Sequence, residues 1–152
     1  MSTFDSVAFL IEQSIAELQV DPALCRGDKV GQWSLTYKGS TVWIDLFNFQ
    51  DKPEKYYFQV MSPLLRIPDR NHEQIYKNML EINHNLYGSW LTIKGDWMYC
   101  MCLREADNLD KSEIDATLDR VAYYSKDYYE KLRFKYEGSW DEKPQDKQVN
   151  VN

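Results

Sequence analysis

The sequence is poor in the residues that most catalytic and ligand-binding motifs require. It has two histidines, His72 and His84, and six glycines spread among turns. No glycine-rich phosphate loop, Gly-x-Ser-x-Gly, His-Glu-x-x-His or Cys-x-x-Cys pattern occurs. At about 100° per residue, the two histidines fall roughly 120° apart around a helix, so they cannot hold one metal from one face. Three cysteines leave an odd thiol, and Cys100 and Cys102 alternate onto the same face of a predicted strand. Neighbours on one strand make poor disulfide partners, so Cys25, Cys100 and Cys102 are expected to be buried reduced thiols. Positive charge is also scarce, with 18 Lys plus Arg against 24 Asp plus Glu and a net charge of −6. That balance repels phosphate backbones and anionic headgroups, and the expected partners include neither nucleic acid nor membrane. No stretch reaches the roughly 20 apolar residues of a membrane span. The longest candidates are interrupted by Asp45, Gln59 and Thr92, and Met1–Gln19 lacks the basic start of a secretory leader. A cytoplasmic protein without catalytic residues, metal or cofactor is the expectation.

What remains is ample material for a core. The 152 residues suit one domain, and 43% hydrophobic residues with 14% aromatics exclude a disordered chain. Phe4, Val7, Ala8, Ile11, Ile15 and Leu18 recur at helical spacing behind Ser2 and Thr3, which predicts a helix over residues 3–19. Residues 21–32, with Pro22, Gly27 and Gly31, read as loop. Alternating Trp33–Tyr37 and Thr41–Phe49 flank a turn at Lys38-Gly39-Ser40. A second turn at residues 51–54 precedes a third strand, Tyr56–Met61, which Ser62-Pro63 is expected to end. Asn71 and Gln74 have capping-box spacing before a second helix that runs towards Gly88. Trp90–Lys94 and Trp97–Arg104 flank Gly95-Asp96 as a second hairpin, and Asp110 with Glu113 opens a long third helix. Acidic residues at its start and Lys131, Arg133 and Lys135 at its end match the helix dipole. The pair Asp115 and Asp119 on that helix reads as a solvated acidic face. The predicted order is α-β-β-β-α-β-β-α: one α+β domain over residues 1–138, with a five-stranded, mainly antiparallel twisted sheet packed against helices. Residues 139–152 are expected to form a flexible polar tail, with Trp140 able to pin its base.

The second strand carries Val42, Ile44 and Leu46 on one side and Trp43, Phe47 and Phe49 on the other. The fifth strand is also apolar on both sides. Helices of a single chain cover one side of such a sheet more readily than two, so contact with another polypeptide is expected.

Met61-Ser62-Pro63-Leu64-Leu65-Arg66-Ile67-Pro68, followed by Ile75–Asn83 and the Trp90–Asp96 hairpin, resembles the YbjN family of bacterial proteins. That family is similar in fold to class I type III secretion chaperones. The resemblance implies a homodimer that binds an extended protein segment rather than an enzyme. It also matches Asn83 to the asparagine closing the second-helix motif, where a capping or buried hydrogen-bonding role is expected.

The leading expectation is therefore a non-enzymatic protein-binding module, chaperone-like or regulatory, whose sheet face and first helix bury an apolar segment of a client or partner protein. Trp43, Phe47 and Phe49 are the expected client surface, and Ile75, Met79 and Ile82 the expected dimer contact. The alternative is a small-molecule sensor with an aromatic-lined cavity.

Overall fold

A computed structural model of the chain describes residues 2–136 and 150–151. Helix α1 (Thr3–Glu17) starts at Ser2, whose hydroxyl accepts from the Asp5 amide at 3.1 Å. Its apolar period turns Val7, Ile11 and Ile15 into the core, with Phe4, Ala8 and Leu18 packed at the margin. The predicted loop that follows contains one short helix, α2 (Pro22–Cys25), capped by the Asp21 carboxylate on the Ala23 amide. At Gly31 the chain presses onto the sheet: its carbonyl accepts from the Leu46 amide at 2.8 Å. A Cβ at Gly31, where φ is +88°, would stand 2.4 Å from the Leu46 carbonyl oxygen.

Strands β1 (Gln32–Tyr37) and β2 (Ser40–Phe49) meet at a two-residue turn in which Lys38 and Gly39 both have positive φ, the type I′ requirement. Strand β3 (Lys52–Arg66) corrects two expectations. Phe49 pairs with Lys52, so the turn tightens to Gln50-Asp51, and the Asn48 side chain donates to the Pro53 carbonyl at 2.7 Å. Ser62-Pro63 does not end the strand, because the missing Pro63 amide is felt on one side only. Pairing with β2 stops at Trp43–Met61, whereas pairing with β5 (Trp97–Glu105) runs through Pro63–Tyr99 and resumes after a bulge at Leu65–Met98.

Helix α3 (His72–Asn85) follows, but the predicted capping box is absent. Asn71 sits in the left-handed region, at φ +58°, and its side chain makes no cap bond. Asn83 does other work. Its amide nitrogen donates to the Leu91 carbonyl at 3.1 Å and its oxygen accepts from the Leu91 amide at 2.6 Å. Leu91 belongs to β4 (Trp90–Lys94), an edge strand, so one side chain supplies both bonds that a further strand would make. The long helix α4 (Lys111–Lys135) has its predicted capping box, with Asp110 and Glu113 each bonding the other's backbone.

The five expected strands form one antiparallel sheet, and a two-residue strand, β6 (Asn150–Val151), adds in parallel to β1, giving the order β4-β5-β3-β2-β1-β6. The expected tail otherwise lies outside the described residues, as does Trp140. Helices α1 and α4 take the sheet face carrying Leu35, Val42, Ile44, Phe58, Val60 and Cys100, all fully buried. The Trp33 indole donates to Glu12 of α1 at 3.1 Å, Ser62 and Ser125 share a 2.7 Å hydroxyl bond, and the Ser40 hydroxyl donates to the Ala122 carbonyl at 2.9 Å. Small residues at these points let α4 lie close to β2 and β3.

Replacing Asn83 with leucine strands the Leu91 amide and carbonyl. The expected loss is about 1–3 kcal/mol in urea unfolding, with faster amide exchange at Leu91. An unchanged midpoint would show that Asn83 does not hold the edge.

Candidate partner-binding surface

Alternation leaves the remaining side chains of the sheet on its opposite face, which no described helix covers. The register sorts them into rows. Ser34, Trp43, Met61, Met101 and Trp90 pair in succession from β1 to β4, a band crossing five strands. The next row is Gln32, Asp45, Gln59 and Leu103, polar over three of its four positions. Beyond it, Phe47 pairs with Tyr57, and Phe49 closes a ring cluster with them at centroid distances of 5.0–5.9 Å.

The three residues expected to meet a client thus share the open face but split between two centres. Phe47 and Phe49 belong to the cluster with Tyr57. Trp43 lies in the band, 6.1 Å from the Tyr99 ring. Most of these side chains are half-buried, while Phe49 and Trp90 are 48% and 37% exposed. Within the described chain, the buried Trp43 indole nitrogen and the Ser34 hydroxyl, cross-strand neighbours in the band, have no hydrogen-bond partner. Tyr57, Met61, Met101 and Trp90 were missing from the expected surface. The alternation of β5 was visible in the sequence, but its place beside β3 was not.

The expected dimer residues lie elsewhere. Ile75 and Met79 are buried in the chain's own core and Ile82 packs against it. The outward side of the same region carries Tyr76, Leu80, Tyr87 and Ile93, of which Leu80 and Tyr87 are over 70% exposed. A third feature is a cavity of about 470 Å³ where α1 meets the segment before β1, lined by Phe4, Phe9, Val30 and Trp33. The Arg26 guanidinium grips Glu12 at its wall by two bonds of 2.7 and 2.9 Å, which holds that carboxyl below its usual range against the opposing effect of burial.

Among the described residues no three His, Cys, Asp or Glu side chains gather to hold a metal. His72 bonds the Pro68 carbonyl, and the three thiols are free and buried. Burial pushes the Cys100 thiol up to about 12 and raises Cys102 as well, so thiolate is suppressed at both. No described helix is long and apolar enough to cross a membrane.

Residues 9–134 match the model of YbjN, described as "Putative bacterial sensory transduction regulator". The chain belongs to the YbjN family. No curated protein matches it. This YbjN chain is similar in fold to a chain of the ExsC–ExsE complex, with a TM-score of 0.67 and 15% identity over 86% of this chain and 96% of that one. It is also similar to a chain of the HopA1–SchA chaperone–effector complex, at 0.60 and 10% identity over 82% and 93%. A third likeness is to a structure of the Yersinia pestis type III secretion chaperone SycH with a stable fragment of YscM2, at 0.55 and 14% identity over 78% and 95%. At these identities the likeness is one of fold. The stretch matched to YbjN includes every residue of the open-face rows.

The buried Cys100 thiol, pushed up to about 12, predicts alkylation at pH 8 slower by about a hundredfold or more in the folded chain than in urea. Iodoacetamide labelling followed by mass spectrometry reads this, and comparable rates would contradict the buried thiol.

Proposed function

We propose that this YbjN-family chain is a non-enzymatic protein-binding module, chaperone-like or regulatory, that holds an apolar segment of a client or partner polypeptide on the open face of its sheet. The observation that carries this reading is the band from Trp43 through Met61 and Met101 to Trp90, apolar side chains left without a covering helix. Strand spacing gives the five-stranded band a width of roughly 19 Å, about six residues of extended chain. An interaction of that kind draws its affinity from a few apolar anchors, with Trp and Tyr foremost, and needs no cofactor or metal. The similar folds supply context, since they include a chaperone–effector complex and a chaperone with a bound fragment.

Homodimerisation is part of the proposal. Tyr76, Leu80, Tyr87 and Ile93 offer an apolar surface beside β4. Ile75, Met79 and Ile82 brace it from within rather than meeting the second copy. Buried free thiols suit a reducing, cytoplasmic setting.

A small-molecule sensor is the second reading, and the cavity beside α1 favours it. Thermal shift separates the two. A metabolite that raises the melting point, in a manner abolished by Phe9→Ala, supports the sensor; stabilisation by polypeptide alone supports the protein-binding module.

The decisive comparison uses Met61→Asp and Phe47→Asp, with Lys126→Glu on the helix side as control. A polypeptide co-purifying from the native host is expected to bind the wild type and the control, and to lose about 30-fold or more in affinity on each open-face variant. Equal binding to all four chains would move the site off this face. For the dimer, sedimentation velocity at micromolar concentration is expected to show two subunits for the wild type and one for Leu80→Asp. A monomeric wild type removes that part of the proposal.

A further inference from the structure

The two edges of the sheet are closed in unlike ways. On the β4 side the Asn83 side chain, fixed on α3, occupies the Leu91 amide and carbonyl. At the other edge, the first residues of β1 are covered by the segment after α2: Arg26 bridges Trp33, and the Gly27 amide donates to the Gln32 carbonyl at 2.8 Å. Arg26 is itself clamped to Glu12. The last residues of β1 have a different cover, since Thr36 pairs with Asn150 and Tyr37 with Val151. This is the one parallel pairing among the described strands, and it extends over two residues.

We propose that the outer edge of β1 is a strand-accepting site, held in cis by the chain's own residues 150–151 and opened to an extended segment of a partner polypeptide. This rests on the protein-binding reading above and names where the partner's main chain pairs. The cover is suited to release. A two-residue strand brings few backbone bonds. Elsewhere, the Leu91 bonds come from a side chain fixed on α3, and the first residues of β1 are held by a segment that Arg26 clamps to α1. The position is also continuous with the open face. Ser34, next to Thr36 in the same alternation, pairs with Trp43 of the apolar band. A strand added at β1 therefore places alternate side chains beside that band, joining main-chain pairing at the edge to apolar contact on the face.

The test uses the full chain, a chain lacking residues 148–152, and a synthetic peptide of residues 144–152. The deletion spares the whole stretch matched to YbjN, and circular dichroism verifies its fold. Amide exchange at Thr36, whose N–H points away from β2 towards β6, is expected to accelerate about tenfold or more in the shortened chain. The peptide, added in trans at millimolar concentration, is expected to restore protection there, while a scrambled peptide does not. Equal exchange in the two chains overturns the cover, and failure of the peptide to protect overturns the strand-accepting edge. Protection that grows with protein concentration assigns the strand to a second copy and overturns the arrangement in cis. Phe47→Asp separates this inference from the wider reading: it is expected to leave β1 exchange unchanged while removing partner binding.

Discussion

One-sided burial is the constraint on which the molecule rests. Helices α1 and α4 lie on one face of the sheet and turn Leu35, Ile44, Phe58, Val60 and their neighbours into a dry core. Each large apolar side chain removed from water there stabilises the fold by about 1.5–3 kcal/mol. Where α4 meets the sheet the hydroxyls find partners, Ser62 with Ser125 and Ser40 with the Ala122 carbonyl, whereas the buried Ser14 hydroxyl of α1 has none among the described residues. No described helix covers the second face. An antiparallel sheet can turn one face to water, but ordinarily that face is polar. Here it carries tryptophan, tyrosine, phenylalanine and methionine in register.

The local elements were legible because short-range rules decided them. Apolar spacing located α1, Asp110 with Glu113 located the start of α4, and Lys38-Gly39 and Gly95-Asp96 located two hairpins. The misreadings came where a local rule met an unseen neighbour. Pro63 looks like a strand breaker until β5 is known to pair through it. Asn71 has the spacing of a cap, yet its left-handed backbone leaves the side chain out of that role.

The candidate surface was legible only in part, for a related reason. Alternation alone puts Trp43, Phe47 and Phe49 on one side of β2. It cannot say that β5 lies beyond β3, and this adjacency brings Met101 and Trp90 into line with Trp43 and Met61. Likewise, helical period marks Ile75, Met79 and Ile82 as an apolar stripe without saying whether the stripe meets the chain's own core or another subunit. It meets the core, and the exposed Tyr76 and Leu80 beside it are what face outward. The ionisable groups tell a consistent story, since Glu12, Glu113 and Asp119 are engaged in holding elements together.

The polar row of Gln32, Asp45 and Gln59 separates two apolar centres along the strand direction. Trp43 and Phe47 stand four residues apart, which at strand rise is about 13 Å. A polypeptide laid lengthwise along β2 would match both centres only by carrying greasy side chains at the same interval, with something hydrophilic between them. On the proposed reading the sheet would act as a ruler, admitting ligands by the periodicity of their sequence more than by the identity of any one residue.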